Sequence, residues 1–288
     1  MKKKQEHYSY SQINTFINCP QKYKLLYIDK IKSQKEGIEA FVGKVVHEVL
    51  EFIYKNKIEY LIWDKVEDIY YEIWSSRWHD KIFYFNRTMI FENNKFNKSK
   101  YKEYNQAYFK KLGLEYIRNY YIVNHGPNLN MDFVIDTEVL SFVNINKYNF
   151  KTIIDRIDKT ESSLEIHDYK TGRPKSKGEL KNDMQLPIYQ LALIDKYPNR
   201  EIYLNWHFLK EKNIEKQHIR LKKDATEINS IINKISDIVE NIIKSKNSKL
   251  DEDTFPAKAS FLCNWCYLWE NCSKKKEYNE ENPSLKIE

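Results

Sequence analysis

The chain has 288 residues, 41% hydrophobic and 31% charged, which excludes a disordered polyelectrolyte and suffices for a buried core. Lysine and arginine outnumber aspartate and glutamate 48 to 41, a net charge of +7 with a pI near 8.9; that balance favours polyanionic partners, nucleic acid first. Six glycines and seven prolines are too few for flexible linkers, and no apolar run is long enough for a bilayer span, so no membrane partner is expected.

The basic start, Met1-Lys2-Lys3-Lys4, is not followed by an apolar stretch, so no secretory leader is read and a cytoplasmic location is expected. Residues 8–30 read as a helix broken at Cys19-Pro20, with Ser9 or Ser11 as its cap. Residues 39–57 form an amphipathic helix, with Val42, Val45, Val46, Val49, Leu50 and Ile53 at helical spacing. The pattern predicts that helix continues over 58–78, that 81–100 is irregular, and that 101–123 is helical again. Gly126-Pro127 marks a break.

The hydrophobic period then changes. Segments 131–145, 149–158 and 163–170 alternate like strands, with a hairpin around Thr160 to Ser163. A helix is predicted over 184–197, strands over 201–210 and 216–221, and a long helix over 224–247 with an isoleucine-rich face. The expected organisation is a core of N-terminal helices (1–57), a helical insertion (58–130), a core sheet with its helices (131–260), a cysteine-rich segment (261–274) and a disordered tail (275–288). The fold class is α/β, a mixed sheet flanked by helices.

The chemistry gathers in Asp155-Arg156-Ile157-Asp158 and Asp168-Tyr169-Lys170-Thr171-Gly172. Asp168 and Lys170 are two apart on a strand and share a face. Asp155 lies on the neighbouring strand, so its carboxylate can converge on that of Asp168. Two carboxylates beside an ammonium suit Mg²⁺ or Mn²⁺ and phosphodiester cleavage, which needs a polarised phosphoryl oxygen, an activated water and charge neutralisation. An isolated Asp-x-Lys is also compatible with a surface ion pair. His47 follows Gly43 by one helical turn; it is either a core histidine or a metal ligand. Gln185 and Tyr189 are likewise one turn apart, facing a phosphate backbone or forming a surface pair.

In this order, Gly43-x-x-x-His47-x-x-Leu50-Glu51, Asp155, Asp168-Tyr169-Lys170-Thr171-Gly172 and Gln185-x-x-x-Tyr189 resemble the RecB-like branch of the PD-(D/E)XK nucleases. The opening Tyr8-Ser9-Tyr10-Ser11 through Cys19-Pro20 to Tyr27-Ile28 is similar to that family's first segment. The resemblance implies a restriction-endonuclease-like fold. It implies a catalytic metal held by His47, Asp155, Asp168 and the backbone carbonyl of Tyr169. Lys170 would be the catalytic lysine, with Gln185 and Tyr189 supporting the site and the DNA. Thr152 stands where many relatives have glycine, three residues before the first aspartate. Glu138, on the preceding strand, is a candidate for the outer shell or an ordinary exposed glutamate.

The four cysteines are Cys19, Cys263, Cys266 and Cys272. In a cytosolic chain they point to a metal site, and Cys-x2-Cys chelates one centre. Structural zinc is the alternative; the one-plus-three arrangement resembles the 4Fe–4S cluster of AddB-type and CRISPR-associated exonucleases. The cluster would staple the two ends of the chain together. The resemblance implies a DNA exonuclease acting on single strands or ends in recombination or repair, with a helicase or recombination partner. Trimming spacer precursors in CRISPR adaptation and a non-catalytic DNA-binding module on the same fold are the alternatives.

Overall fold

Hydrophobic period shifts near residue 130, from about 3.6 to about 2, and returns to helical spacing over 184–197 and 224–247; the computed structural model follows those changes. It describes residues 6–31, 36–58, 60–83, 87–92, 95–103, 105–248, 254–260, 262–263 and 266–275. The tail expected at 275–288 lies, beyond Lys275, outside the described residues.

Ser9 opens α1 (Tyr10–Asn18) by accepting the Gln12 N–H at 3.2 Å, as an N-cap hydroxyl does. Cys19 is extended and Pro20 begins α2 (Pro20–Tyr23), a position where its missing N–H is no loss. A π-helical turn, Lys24–Ile28, completes this corner. A two-residue strand, β1 (Glu36–Gly37), leads into α3 (Ile38–Lys55), which buries Val42, Val45, Val46, Val49 and Ile53.

The helix predicted over 58–78 is not continuous with α3. Lys57 and Tyr60 adopt left-handed φ of 45° and 49°, the chain turns, and α4 (Trp63–Arg77) begins after Ile62. β2 (Ile82–Phe83) pairs parallel with β1. The stretch expected to be irregular carries an antiparallel ribbon, β3 (Arg87–Glu92) with β4 (Lys95–Glu103). Its Thr88, Ile90, Phe91, Phe96 and Tyr101 suit strands, a signal masked by the many asparagines and lysines around them. α5 (Gln106–Val123) therefore starts later than predicted, where Asn105 accepts the Tyr108 N–H at 2.8 Å.

Helices α3, α4 and α5 share one apolar core around Val46, Val66, Trp74 and Ile117. Gly113 makes their approach feasible: a Cβ there would lie 2.5 Å from the Tyr70 hydroxyl, which donates to the Lys110 carbonyl at 2.6 Å. This core reaches Tyr169 and Leu209, so the helices press on the strand ends that carry the motif acids and lysine.

The sheet has five strands, β5 (Val134–Ile145), β6 (Tyr148–Lys159), β7 (Ser163–Lys170), β8 (Glu201–Phe208) and β9 (His218–Leu221), neighbours in that order. Pairing is antiparallel except between β7 and β8. A parallel pair needs a crossover, supplied by α6 (Lys177–Lys181) and α7 (Gln185–Ile194). α6 is missing from the sequence reading, although Ser176 and Glu179 form a capping box that announces it. A short α8 (Ile214–Gln217) takes the first two residues predicted for the last strand. α9 (Ala225–Asn247), capped by Asp224 and Glu227, lays Ile231, Ile235, Val239 and Ile242 against Tyr148, Phe150, Ile188 and Ile13. A mixed sheet flanked by helices is the architecture expected from the sequence. Among the described residues no helix is long and apolar enough to cross a membrane.

Candidate active site

The site forms where β6 and β7 part. Their ladder ends at Arg156 opposite His167. A buried N–H must find a partner elsewhere once the ladder stops, and that of Tyr169 donates to Asp155 Oδ2 at 2.8 Å. The gap between strands thus fixes the Asp155 carboxylate.

Helix α3 closes on this gap because Gly43 has no side chain; a Cβ there would stand 3.3 Å from Thr171 Oγ1. One turn later the His47 imidazole sits between two acceptors. Nε2 is 2.9 Å from the Tyr169 carbonyl oxygen, and Nδ1 is 3.4 Å from Asp155 Oδ2. Glu138 arrives from β5. Its neighbours Thr137 and Val139 pair with Arg156 and Ile154, which sets Glu138 across from Asp155. It does so with a left-handed φ of 49°. Ligand atoms of His47, Glu138 and Asp155 all lie within 4.8 Å of one another.

Asp168 stands outside that trio. Its Oδ2 is 2.6 Å from Lys170 Nζ, and Nζ also donates to Gln185 Oε1 at 2.6 Å. Gln185 Nε2 donates in turn to the Tyr189 hydroxyl at 2.7 Å, which Thr152 also hydrogen-bonds. Asp183 Oδ1 accepts the Gln185 N–H at 3.0 Å and so fixes the start of α7. Lys170, Gln185 and Tyr189, scattered in sequence, form one chain of hydrogen bonds ending at Thr152.

The charges are poised for a cation. Burial pulls the His47 imidazole down, but the Asp155 and Asp168 carboxylates outweigh it and hold its pKa at about 9. Burial acts against the charged form of Asp155, yet the adjacent His47 keeps it below the usual carboxylate range. Burial pushes Asp168 up to about 6 despite Lys170. Glu138 is pushed up to about 7, by burial first and the nearby Asp155 second. Lys170 loses from burial but is held above its ordinary value by Asp168, and is an ammonium at neutral pH. Crowded carboxylates with one imidazole and a carbonyl are the donor set of a hard divalent cation. Glu138, read from the sequence as an outer-shell candidate or an ordinary exposed glutamate, lies within 4.8 Å of the ligand atoms of His47 and Asp155. Only the register of β5 on β6, which no local pattern states, could have shown it.

Beneath helices α3 and α5, buried Arg156 lies over the Tyr54 ring, donates to the hydroxyls of Tyr120 at 3.0 Å and Tyr169 at 2.8 Å and pairs with Asp158 at 2.9 Å. The guanidinium therefore holds the residue whose carbonyl faces His47.

The cysteines lie where the C-terminal segment folds onto the α1–α2 corner. Gln21 Oε1 accepts from Cys272 Sγ at 3.5 Å and from the Ser273 N–H at 3.4 Å, and Lys258 Nζ donates to the Ile17 carbonyl at 3.3 Å. Burial raises the Cys266 and Cys272 thiols, and each is raised further by the other cysteines, Cys19 and Cys263 among them.

A family model for the PD-(D/E)XK nuclease superfamily matches residues 7–273. No curated protein matches the chain. The solved structures similar to it include the following two. A candidate exonuclease from Eubacterium rectale is 11% identical, with 90% of this chain and 92% of that one covered and a TM-score of 0.48. The protein SSO0001 is 13% identical, with 95% and 88% covered and a TM-score of 0.37. At these levels neither bears on function.

Proposed function

The chain belongs to the PD-(D/E)XK nuclease superfamily, and we propose that it is a metal-dependent DNA exonuclease that hydrolyses phosphodiester bonds on single strands or DNA ends. The observation that carries this reading is the meeting of His47, Glu138 and Asp155 within 4.8 Å beside the Asp168–Lys170 pair.

In this reading His47, Asp155, Asp168 and the Tyr169 carbonyl hold Mg²⁺ or Mn²⁺, with Glu138 as a further carboxylate. Such an ion, when bound, polarises a phosphoryl oxygen and lowers the pKa of water. Lys170 stays protonated beside Asp168, so its part is to orient the attacking water and neutralise charge developing on phosphorus, rather than to take up a proton. Gln185 accepts from the Lys170 ammonium and aims it; Tyr189 and Thr152 hold Gln185 in place.

The same reading gives the four cysteines a 4Fe–4S cluster that staples the two ends of the chain. The one-plus-three arrangement of Cys19 with Cys263, Cys266 and Cys272 supports the cluster over zinc, whose four-cysteine sites use paired Cys-x2-Cys turns.

The test is cleavage of end-labelled single- and double-stranded DNA with Mn²⁺, Mg²⁺ or EDTA, comparing the protein with its Asp168→Ala variant. Metal-dependent shortening from one end that the variant lacks supports the reading; equal degradation by both proteins refutes it.

A further inference from the structure

Strands β5 and β6 carry exposed apolar side chains that the fold leaves unused. Leu140, Phe142 and Ile153 are 51%, 57% and 47% exposed, while Phe150 and Ile154 on the opposite face of β6 are fully buried. The register sets Leu140 opposite Ile153 and Phe142 opposite Lys151. Side chains two apart on a strand share a face. Lys151 and Ile153 therefore project on the side of Asp155, and their cross-strand partners join them. A continuous strip begins at the Glu138–Asp155 pair and runs away from it along the ribbon. Toward its far end the His7 ring packs edge-on to Phe142, centroids 5.4 Å apart. Lys151 is exposed and has no ion pair among the described residues.

Single exposed apolar residues need no explanation, but three adjoining ones do. Here they adjoin a free ammonium and run straight into the acids of the candidate site. We propose that this strip is the bed of a single nucleic-acid strand, its unpaired bases packing on Phe142, Leu140 and Ile153 and a phosphate meeting Lys151. The inference rests on the nuclease reading and narrows its substrate. In a duplex the base faces are stacked on one another, and a protein meets only the backbone and the groove edges. An apolar, aromatic strip rewards unpaired bases alone.

Fluorescence anisotropy of the full chain with a labelled oligothymidylate and with a hairpin duplex, in Ca²⁺ to suppress cleavage, tests it. Phe142→Ala should weaken single-strand affinity by about tenfold and duplex affinity by less than about twofold, and Phe142→Trp should restore it. Lys151→Ala should flatten the log–log salt dependence of single-strand binding by about 0.7. These residues are exposed, so the melting temperature should stay that of the parent protein. Unchanged single-strand affinity in Phe142→Ala and Leu140→Ser would overturn the proposal. So would light scattering that shows a dimer which Phe142→Ala returns to monomer, since the strip would then be a protein interface. If the parent protein neither binds nor cleaves any DNA with Mn²⁺, the nuclease reading fails and this inference goes with it.

Discussion

Replacing Glu138 by glutamine should make the metal-free protein more stable and its metal complex weaker. Its carboxyl lies opposite Asp155, and burial and that neighbour move its pKa from 4.5 to about 7. The ionised form is thus penalised in the folded protein. An acid raised in this way leaves stability intact below its unfolded pKa and loses it as pH climbs through the folded value. At 1.36 kcal/mol per decade of acidity, the full cost above pH 7 is about 3.4 kcal/mol. Solvent reaching the part-exposed side chain reduces it to roughly 2 kcal/mol. Glutamine keeps the shape and removes the charge. In EDTA at pH 8, Glu138→Gln should therefore melt about 4–8 °C higher than the parent protein, at the 2–4 °C per kcal/mol expected of a large domain. At pH 4, below the unfolded value of 4.5, Glu138 is protonated in both states and the two should melt together. Adding Mn²⁺ should raise the parent's melting temperature at pH 8 and raise the variant's by much less, because a ligand stabilises only in proportion to its affinity. A variant that melts lower than the parent in EDTA at pH 8 yet gains as much from Mn²⁺ would refute the crowding argument and the placement of Glu138 among the donors.

Three further outcomes are expected. Lys170→Ala should lower the cleavage rate by on the order of 10²–10⁴-fold while oligonucleotide affinity in Ca²⁺ changes little, since the ammonium serves the transition state; single-turnover kinetics alongside anisotropy separates the two. Mn²⁺ affinity should rise between pH 6 and pH 9 as Glu138 and His47, held at about 7 and about 9, surrender protons to the metal. Titration calorimetry in buffers of different ionisation enthalpy should register their release, and no release at pH 7 would count against His47 as a ligand. Cys266→Ala, purified anaerobically, should lose brown colour and absorbance near ~400 nm and melt lower; a parent protein that is colourless and carries zinc would discard the iron–sulfur assignment.

What the sequence shows of this fold follows from how far each signal reaches. The alternation of Ile202, Leu204, Trp206 and Phe208 marks β8, and the repeat of Ile228, Ile231, Ile235 and Val239 marks α9, because burial imposes those periods residue by residue. The break between α3 and α4 was invisible because lysine and tyrosine, not glycine, take the left-handed conformation at 57 and 60. The β3–β4 ribbon hid behind polar composition. In the site, His47, Asp155, Asp168 and Lys170 stand out as spaced motifs, but two relations do not. Glu138 joins them through cross-strand register around a left-handed residue. Thr152 on β6 reaches Tyr189 on α7, and spacing along the chain cannot express either contact.

The docking of the C-terminal segment on the first two helices sets a timetable for synthesis. Gln21 and Cys272 are separated by 251 positions, and Phe255 lies flat against Tyr23 with ring centroids 6.3 Å apart. At translation speeds of roughly 5–20 residues per second, the aromatic corner of Phe16 and Tyr23 waits on the order of 12–50 s for its cover. A nascent chain thus trails a greasy, unfinished end through most of its manufacture. Slow elongation, or an arrest before codon 255, should leave it leaning on chaperones.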